Sequence, residues 1–119
     1  DMPYKDLKVE QLDSFLQQSN TIVIDIRDIR SYKAGHLPGA EHIDGPTMSN
    51  LIQQRKNQPS VLVYCYHGMS SRDMAGIISR FGFSHVSHLV GGWQAWLNYQ
   101  NQVAAQDPLL DGELEGAFA

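Results

Sequence analysis

The chain has 119 residues, with nine Lys or Arg, thirteen Asp or Glu, and a formal net charge of −4. That length supports one domain with one modest core, and an acidic balance without a basic run argues against a nucleic-acid partner. The single cysteine excludes an internal disulfide, the five histidines show no metal-ligand spacing, and no apolar stretch reaches the roughly 18 residues of a membrane helix.

In chain order, Tyr4 to Leu7 reads as a short edge strand. Val9, Leu12, Phe15 and Leu16 fall on one face of a helix running to about Gln18, with Lys8 a poor N-cap and Ser19-Asn20 as the break. Thr21 to Ile26 is apolar and β-branched, as in a parallel strand covered on both faces, and Asp25 is its exception. Asp28 can cap one or two turns of helix, and Gly35 to Ala40 must be a loop. Glu41 to Ile43 reads as a brief strand, Thr47 or Ser49 as the start of a short helix holding Met48, Leu51 and Ile52, and Lys56 to Pro59 as a turn.

The central stretch follows. Ser60 to Tyr64 is a second apolar, β-branched run, and Cys65 stands where it ends. Tyr66 to Ser70 is a tight turn with one glycine, and from Ser71 the spacing of Met74, Ile77, Ile78 and Phe81 is helical. A thiol at a strand end, before a helix start, faces unpaired N–H groups and the positive end of the helix dipole. If the turn curls round the sulfur, its amides form an anion nest that lowers the thiol pKa and favours the reactive thiolate.

Gly82 ends this helix, Val86 to Leu89 is a strand, and Gly91-Gly92 turns into an amphipathic helix with Trp93, Trp96 and Leu97 that ends near Tyr99. Strands alternating with helices indicate an α/β domain with a largely parallel sheet and right-handed connections. The domain is expected over residues 1–100, and residues 101–119, acidic and holding Pro108, are expected as a tail that is disordered or packed on the surface. No signal-peptide pattern opens the chain, so a cytoplasmic protein without a membrane partner is expected. The first residue is Asp1 and not Met, which leaves a longer parent protein open.

Three pieces in this order resemble single-domain rhodaneses, most closely the short bacterial GlpE type. They are Ile24-Asp25-Ile26-Arg27-Asp28 with Tyr32 and Gly35-His36-Leu37-Pro38-Gly39-Ala40; Tyr64-Cys65-Tyr66-His67-Gly68-Met69-Ser70-Ser71; and Gly91-Gly92-Trp93-Gln94-Ala95-Trp96. The resemblance implies a rhodanese-like α/β fold, with a five-stranded, mainly parallel sheet and helices on both faces. It implies Cys65 as the nucleophile of a thiosulfate sulfurtransferase, taking sulfane sulfur from thiosulfate or a persulfide donor and passing it to cyanide, a small thiol or a protein acceptor. Such ping-pong covalent catalysis needs no metal or organic cofactor.

By the same resemblance Tyr66, His67, Gly68, Met69, Ser70 and Ser71 form the substrate-binding ring, with Gly68 required by the backbone. Ser70 departs from the many rhodaneses that carry arginine there, so charge at the mouth must come from Arg27 or Arg72 if from either. Bland readings stand beside these roles. His67 and His36 shape loops, Ser70 and Ser71 cap the helix, Asp25, Arg27 and Asp28 form a cluster that fixes a loop, and Trp93 and Trp96 are core. The alternatives are a sulfur-carrier or protein-interaction module, with the acidic tail as a docking segment, and a cysteine phosphatase or arsenate reductase. The phosphatase reading wants arginine six positions after the cysteine, where Ser71 stands.

Overall fold

The computed structural model describes residues 3–106. Five strands form one sheet: β1 (Lys5–Leu7), β2 (Thr21–Asp25), β3 (Glu41–His42), β4 (Ser60–Tyr64) and β5 (Val86–Leu89). Their order is β1-β5-β4-β2-β3, and every neighbouring pair is parallel. Parallel neighbours need crossover connections. These are supplied by α1 (Leu12–Gln17), α2 (Ile29–Ala34), α3 (Gly45–Gln53) and α4 (Ser70–Arg80), and α5 (Gly92–Gln106) follows the last strand.

The period of two along β4 divides the core. Leu62 and Tyr64 face Leu12 and Phe15 of α1, with the half-buried Tyr32, Trp93 and Trp96 closing that side. Val61 and Val63 face Leu51 of α3 and Ala75 and Ile78 of α4. Residues 61 to 64 are fully buried, as expected of a central strand covered on both faces. Each such Val or Leu contributes roughly 1.5–3 kcal/mol by leaving water. β4 is therefore the rigid base from which Cys65 emerges.

Helix ends differ from the expectation in ways that capping explains. The short third helix begins at Gly45, ahead of Thr47 and Ser49, because Asp44 is its N-cap and accepts from the Thr47 N–H at 2.7 Å, with Pro46 in the first turn. α4 begins at Ser70, one residue before the expected start. Where Lys8 offers no cap, the chain enters α1 through a 3₁₀ turn, Val9–Gln11, and the Lys8 N–H donates to Gln11 Oε1 at 2.9 Å. α5 passes Tyr99 and runs to Gln106, since the Ala-, Gln- and Val-containing stretch after it holds no helix breaker before Pro108. Residues 101–106, expected as tail, are thus helical, and the remainder of that tail lies outside the described residues. Among the described residues no helix is long and apolar enough to cross a membrane.

Candidate active site

Cys65 follows the last residue of β4 and is buried. The loop after it turns back at Gly68, whose φ is +87° and whose position would bring a Cβ within 2.7 Å of the Gly91 nitrogen. A side chain is excluded there on both counts. The first turn of α5 fastens the loop from behind: the Trp93 N–H donates to the Cys65 carbonyl at 2.8 Å and the Gln94 N–H to that of Tyr66 at 3.0 Å.

The curled loop aims donors at the sulfur. The Gly68 N–H donates to Cys65 Sγ at 3.1 Å and the Ser71 N–H at 3.3 Å, while the thiol itself donates to the Ser71 hydroxyl oxygen at 3.4 Å. Burial works against a thiolate here, but the Ser71 hydroxyl and the amides of Ser71, Gly68 and His67 outweigh it and hold the thiol below its ordinary range. α4 adds the positive end of its dipole, because Ser71 is in its first turn.

Ile26, Arg27, Cys65, Tyr66, His67, Met69 and Ser70 line a cleft of about 310 Å³ over the thiol. The six expected ring residues therefore divide in two. Gly68 and Ser71 hydrogen-bond the sulfur itself, whereas Tyr66, Met69 and Ser70, and the side chain of His67, stand round the opening, with Met69 79% exposed. Ser71 is not a helix cap: the N-cap of α4 is Met69, without a side-chain bond, and the Ser71 hydroxyl is spent on Cys65 and on His88.

Of the two arginines considered for this mouth, Arg27 reaches it. Its Nε and Nη2 hold both oxygens of Asp25, the shortest contact being 2.7 Å, and Nη2 also donates to the Gly35 carbonyl at 2.6 Å. Tyr64 donates to the same carboxylate at 2.5 Å and accepts from the Leu37 N–H at 3.1 Å. Burial, and then the bond to Asp25, pushes the Tyr64 phenol well up. Burial tends to discharge Arg27, but Asp25 more than compensates and keeps its pKa raised. The guanidinium lies 4.3 Å from the centroid of the Trp93 ring, so this half-buried tryptophan is a shelf beside the cleft as well as part of the core.

Asp28 stands apart from that pair. It is the N-cap of α2, and the Ser31 hydroxyl and N–H hold its carboxyl below the usual range. Ser31 in turn hydrogen-bonds the Tyr66 hydroxyl. Arg72 does not line the cleft over the thiol; it lines adjoining clefts with Tyr4 and Asp73, one of which shares Met69 and Ser70 of the rim. His36 stacks on Tyr32 at 4.0 Å, and its Nδ1 meets the Tyr32 carbonyl at 2.8 Å, which fixes the Gly35-to-Ala40 loop.

Two residues of this neighbourhood escape the sequence reading. His88, on β5, is fully buried with Nδ1 3.1 Å from the Ser71 hydroxyl and Nε2 2.9 Å from Asp6 Oδ1. The available signal is the alternation in Val86-Ser87-His88-Leu89, which puts His88 on the same face as the buried Val86. Among the described residues no three His, Cys, Asp or Glu side chains gather as a metal site.

The chain belongs to the rhodanese-like family: the Rhodanese-like domain profile matches residues 8–99. It is similar to the thiosulfate sulfurtransferase GlpE of Pseudoalteromonas translucida (strain TAC 125), with 33% identity over 95 residues, covering 80% of this chain and 90% of that protein. Solved structures agree on the fold. A rhodanese-like domain protein from Staphylococcus aureus superposes with a TM-score of 0.64 at 19% identity, over 77% of this chain and 90% of that one. A protein from Rhodopseudomonas palustris CGA009, described as a possible tyrosine phosphatase, gives 0.66 at 22% identity, over 82% of each chain.

Proposed function

We propose that this chain is a sulfurtransferase whose donor is thiosulfate and whose sulfur passes through a Cys65 persulfide. The observation that carries the reading is the set of hydrogen-bond partners on Cys65 Sγ, two amides that donate to it and the Ser71 hydroxyl, at the base of an open cleft. The thiolate attacks the outer sulfur of thiosulfate, the S–S bond breaks, and its electron pair leaves with sulfite. Cyanide or a thiol then attacks the outer sulfur of the persulfide, giving thiocyanate or a new persulfide and returning the Cys65 thiolate.

In this reading Gly68 and Ser71 stabilise the negative charge on sulfur, and the loop from Tyr66 to Ser70 receives the sulfonate. Ser70 brings a hydroxyl to that mouth, and Arg27 supplies the nearest guanidinium. His67 contributes to recognition and loop shape. The GlpE relative is named for thiosulfate, which supports the choice of donor. The exposed Tyr66 and Met69 at the rim suit an acceptor thiol carried on another protein. A phosphatase needs an unpaired arginine to grip three phosphoryl oxygens, and the arginine that lines this cleft, Arg27, is paired with Asp25, while Ser71 stands six positions after the cysteine.

The test is intact-protein mass after brief exposure to thiosulfate, with Cys65→Ser in parallel. Addition of one sulfur atom to the wild type alone, removed by cyanide with release of thiocyanate, is the expected result. A folded, reduced wild type that gains no sulfur would overturn thiosulfate as donor.

A further inference from the structure

His88 is the buried titratable group that the sulfur chemistry above leaves unused. The parallel register pairs Asp6 of β1 with His88 of β5, which sets the two side chains next to each other. The contacts run without a gap from Asp6 Oδ1 to His88 Nε2 at 2.9 Å, from His88 Nδ1 to Ser71 Oγ at 3.1 Å, and from Ser71 Oγ to Cys65 Sγ at 3.4 Å. His88 and Ser71 are fully buried, while the Asp6 side chain is 64% exposed. The inner part of the chain is therefore shut off from water and its outer end opens to it.

We propose that Asp6 and His88 form a proton relay, acting through Ser71, that receives the proton of Cys65 and holds it as a counter-charge while the sulfur is anionic. The inference rests on Cys65 being the nucleophile. The donor and acceptor pattern requires little choice. An ionised Asp6 can only accept, so His88 Nε2 carries a hydrogen and Nδ1 of the neutral ring is an acceptor. The Ser71 hydroxyl then donates to Nδ1, and its oxygen accepts from the Cys65 thiol.

From that state two protons move in one direction. The S–H bond of Cys65 breaks as an O–H bond forms on Ser71, and the former hydroxyl proton of Ser71 passes to Nδ1. Cys65 becomes a thiolate, Ser71 remains neutral with its new hydrogen facing the sulfur, and His88 becomes an imidazolium between Ser71 and the Asp6 carboxylate. Protons and charge balance without a co-reactant. Through the persulfide stage the sulfur keeps its negative charge, and the imidazolium stays to match it.

Other charged groups near the relay are few. The Tyr4 ring meets His88 edge-on at 5.4 Å, and beyond it the exposed Arg72 and Asp73 of α4 line the outer cleft. β4 presents the apolar Val63 beside His88. Asp6 is thus the one carboxylate in contact with the imidazole among the described residues. His88 does not touch the reacting sulfur, so its role is that of a positioning residue.

The experiment is the rate of Cys65 alkylation by iodoacetamide against pH, for wild type, Asp6→Asn and His88→Asn, with folding followed by thermal unfolding. This readout does not depend on which sulfur donor the protein takes, so a failed thiosulfate reaction and a failed relay give different results. His88→Asn places a neutral hydrogen-bonding amide toward Ser71, and removes the titration together with the contact to Asp6. Both variants should shift the midpoint of the profile upward, by about one unit for His88→Asn, so that alkylation at mildly acidic pH slows about tenfold. Either profile superimposing on that of the wild type would overturn the relay. If His88→Asn does not fold, Asp6→Asn, at an exposed position, decides alone.

Discussion

The backbone N–H of Trp93 donates to the carbonyl of Cys65 at 2.8 Å, so the residue bearing the thiol is held from both sides, by β4 before it and by α5 behind. Gly92 makes that approach possible. Its φ is +63°, and a Cβ there would lie 2.5 Å from the Cys65 carbonyl oxygen.

Gly92→Ala should therefore push the loop away from α5. The expected cost is at least about 2 kcal/mol, from left-handed strain together with the clash. Urea unfolding measures it, and the alkylation rate of Cys65 should fall in the same variant because the amides no longer meet the sulfur. An unaltered midpoint would show that the two backbones can part without loss.

Arg27→Met should be more damaging than its position after β2 suggests. It strands the Asp25 carboxylate, fully buried, with Tyr64 as its remaining side-chain donor, and frees the Gly35 carbonyl. Removing one partner of a buried pair costs about 3 kcal/mol or more. Thermal unfolding of Arg27→Met beside Arg27→Lys tests this, and lysine, a point charge without the planar fork, should recover only part of the loss.

The donors round Cys65 also make a statement about stability. The thiol pKa is lowered in the folded protein, so the unfolded chain binds more protons over the interval between the folded and unfolded midpoints, and stability rises with pH there. The contribution is complete above the unfolded midpoint near about 8.5, and it is lost as pH falls through the lower, folded one. Unfolding free energies of wild type minus Cys65→Ser, measured by urea from mildly acidic to mildly alkaline pH, should accordingly grow with pH. A flat difference would show that folding does not release the thiol proton to solvent.

Local pattern made the centre of this molecule readable before its structure. The apolar run from Val61 to Tyr64, the cysteine at its end and the glycine three residues later lie within one short stretch, and each carries its own conformational preference. The parallel sheet follows from alternation of strands and helices in the same local way, whereas the strand order, with β1 beside β5, does not. Helix starts were less legible, because Asp44 and Gln11 act as caps through side chains whose partner is settled only when the backbone turns. His88 and Asp6 were invisible for a different reason. They lie 82 positions apart, and only the register of β1 on β5 brings them together. Arg27 likewise had a role that sequence could not choose, since contact with the cleft and pairing with Asp25 are both met by one side chain.

The sulfur is surrounded by neutral hydrogen-bonding groups, and the nearby guanidinium is already matched by a carboxylate. Such a pocket has little to broadcast beyond its own mouth, while the chain as a whole carries a net charge of −4. An anion therefore approaches uphill through the protein's outer field, and background electrolyte eases its arrival by shortening the reach of that field. Once inside, it meets hydrogens that no alkaline medium short of unfolding removes, as it would discharge a lysine. For the proposed anionic donor, this means selection at contact, by shape and hydrogen bonding, and not by recruitment from a distance.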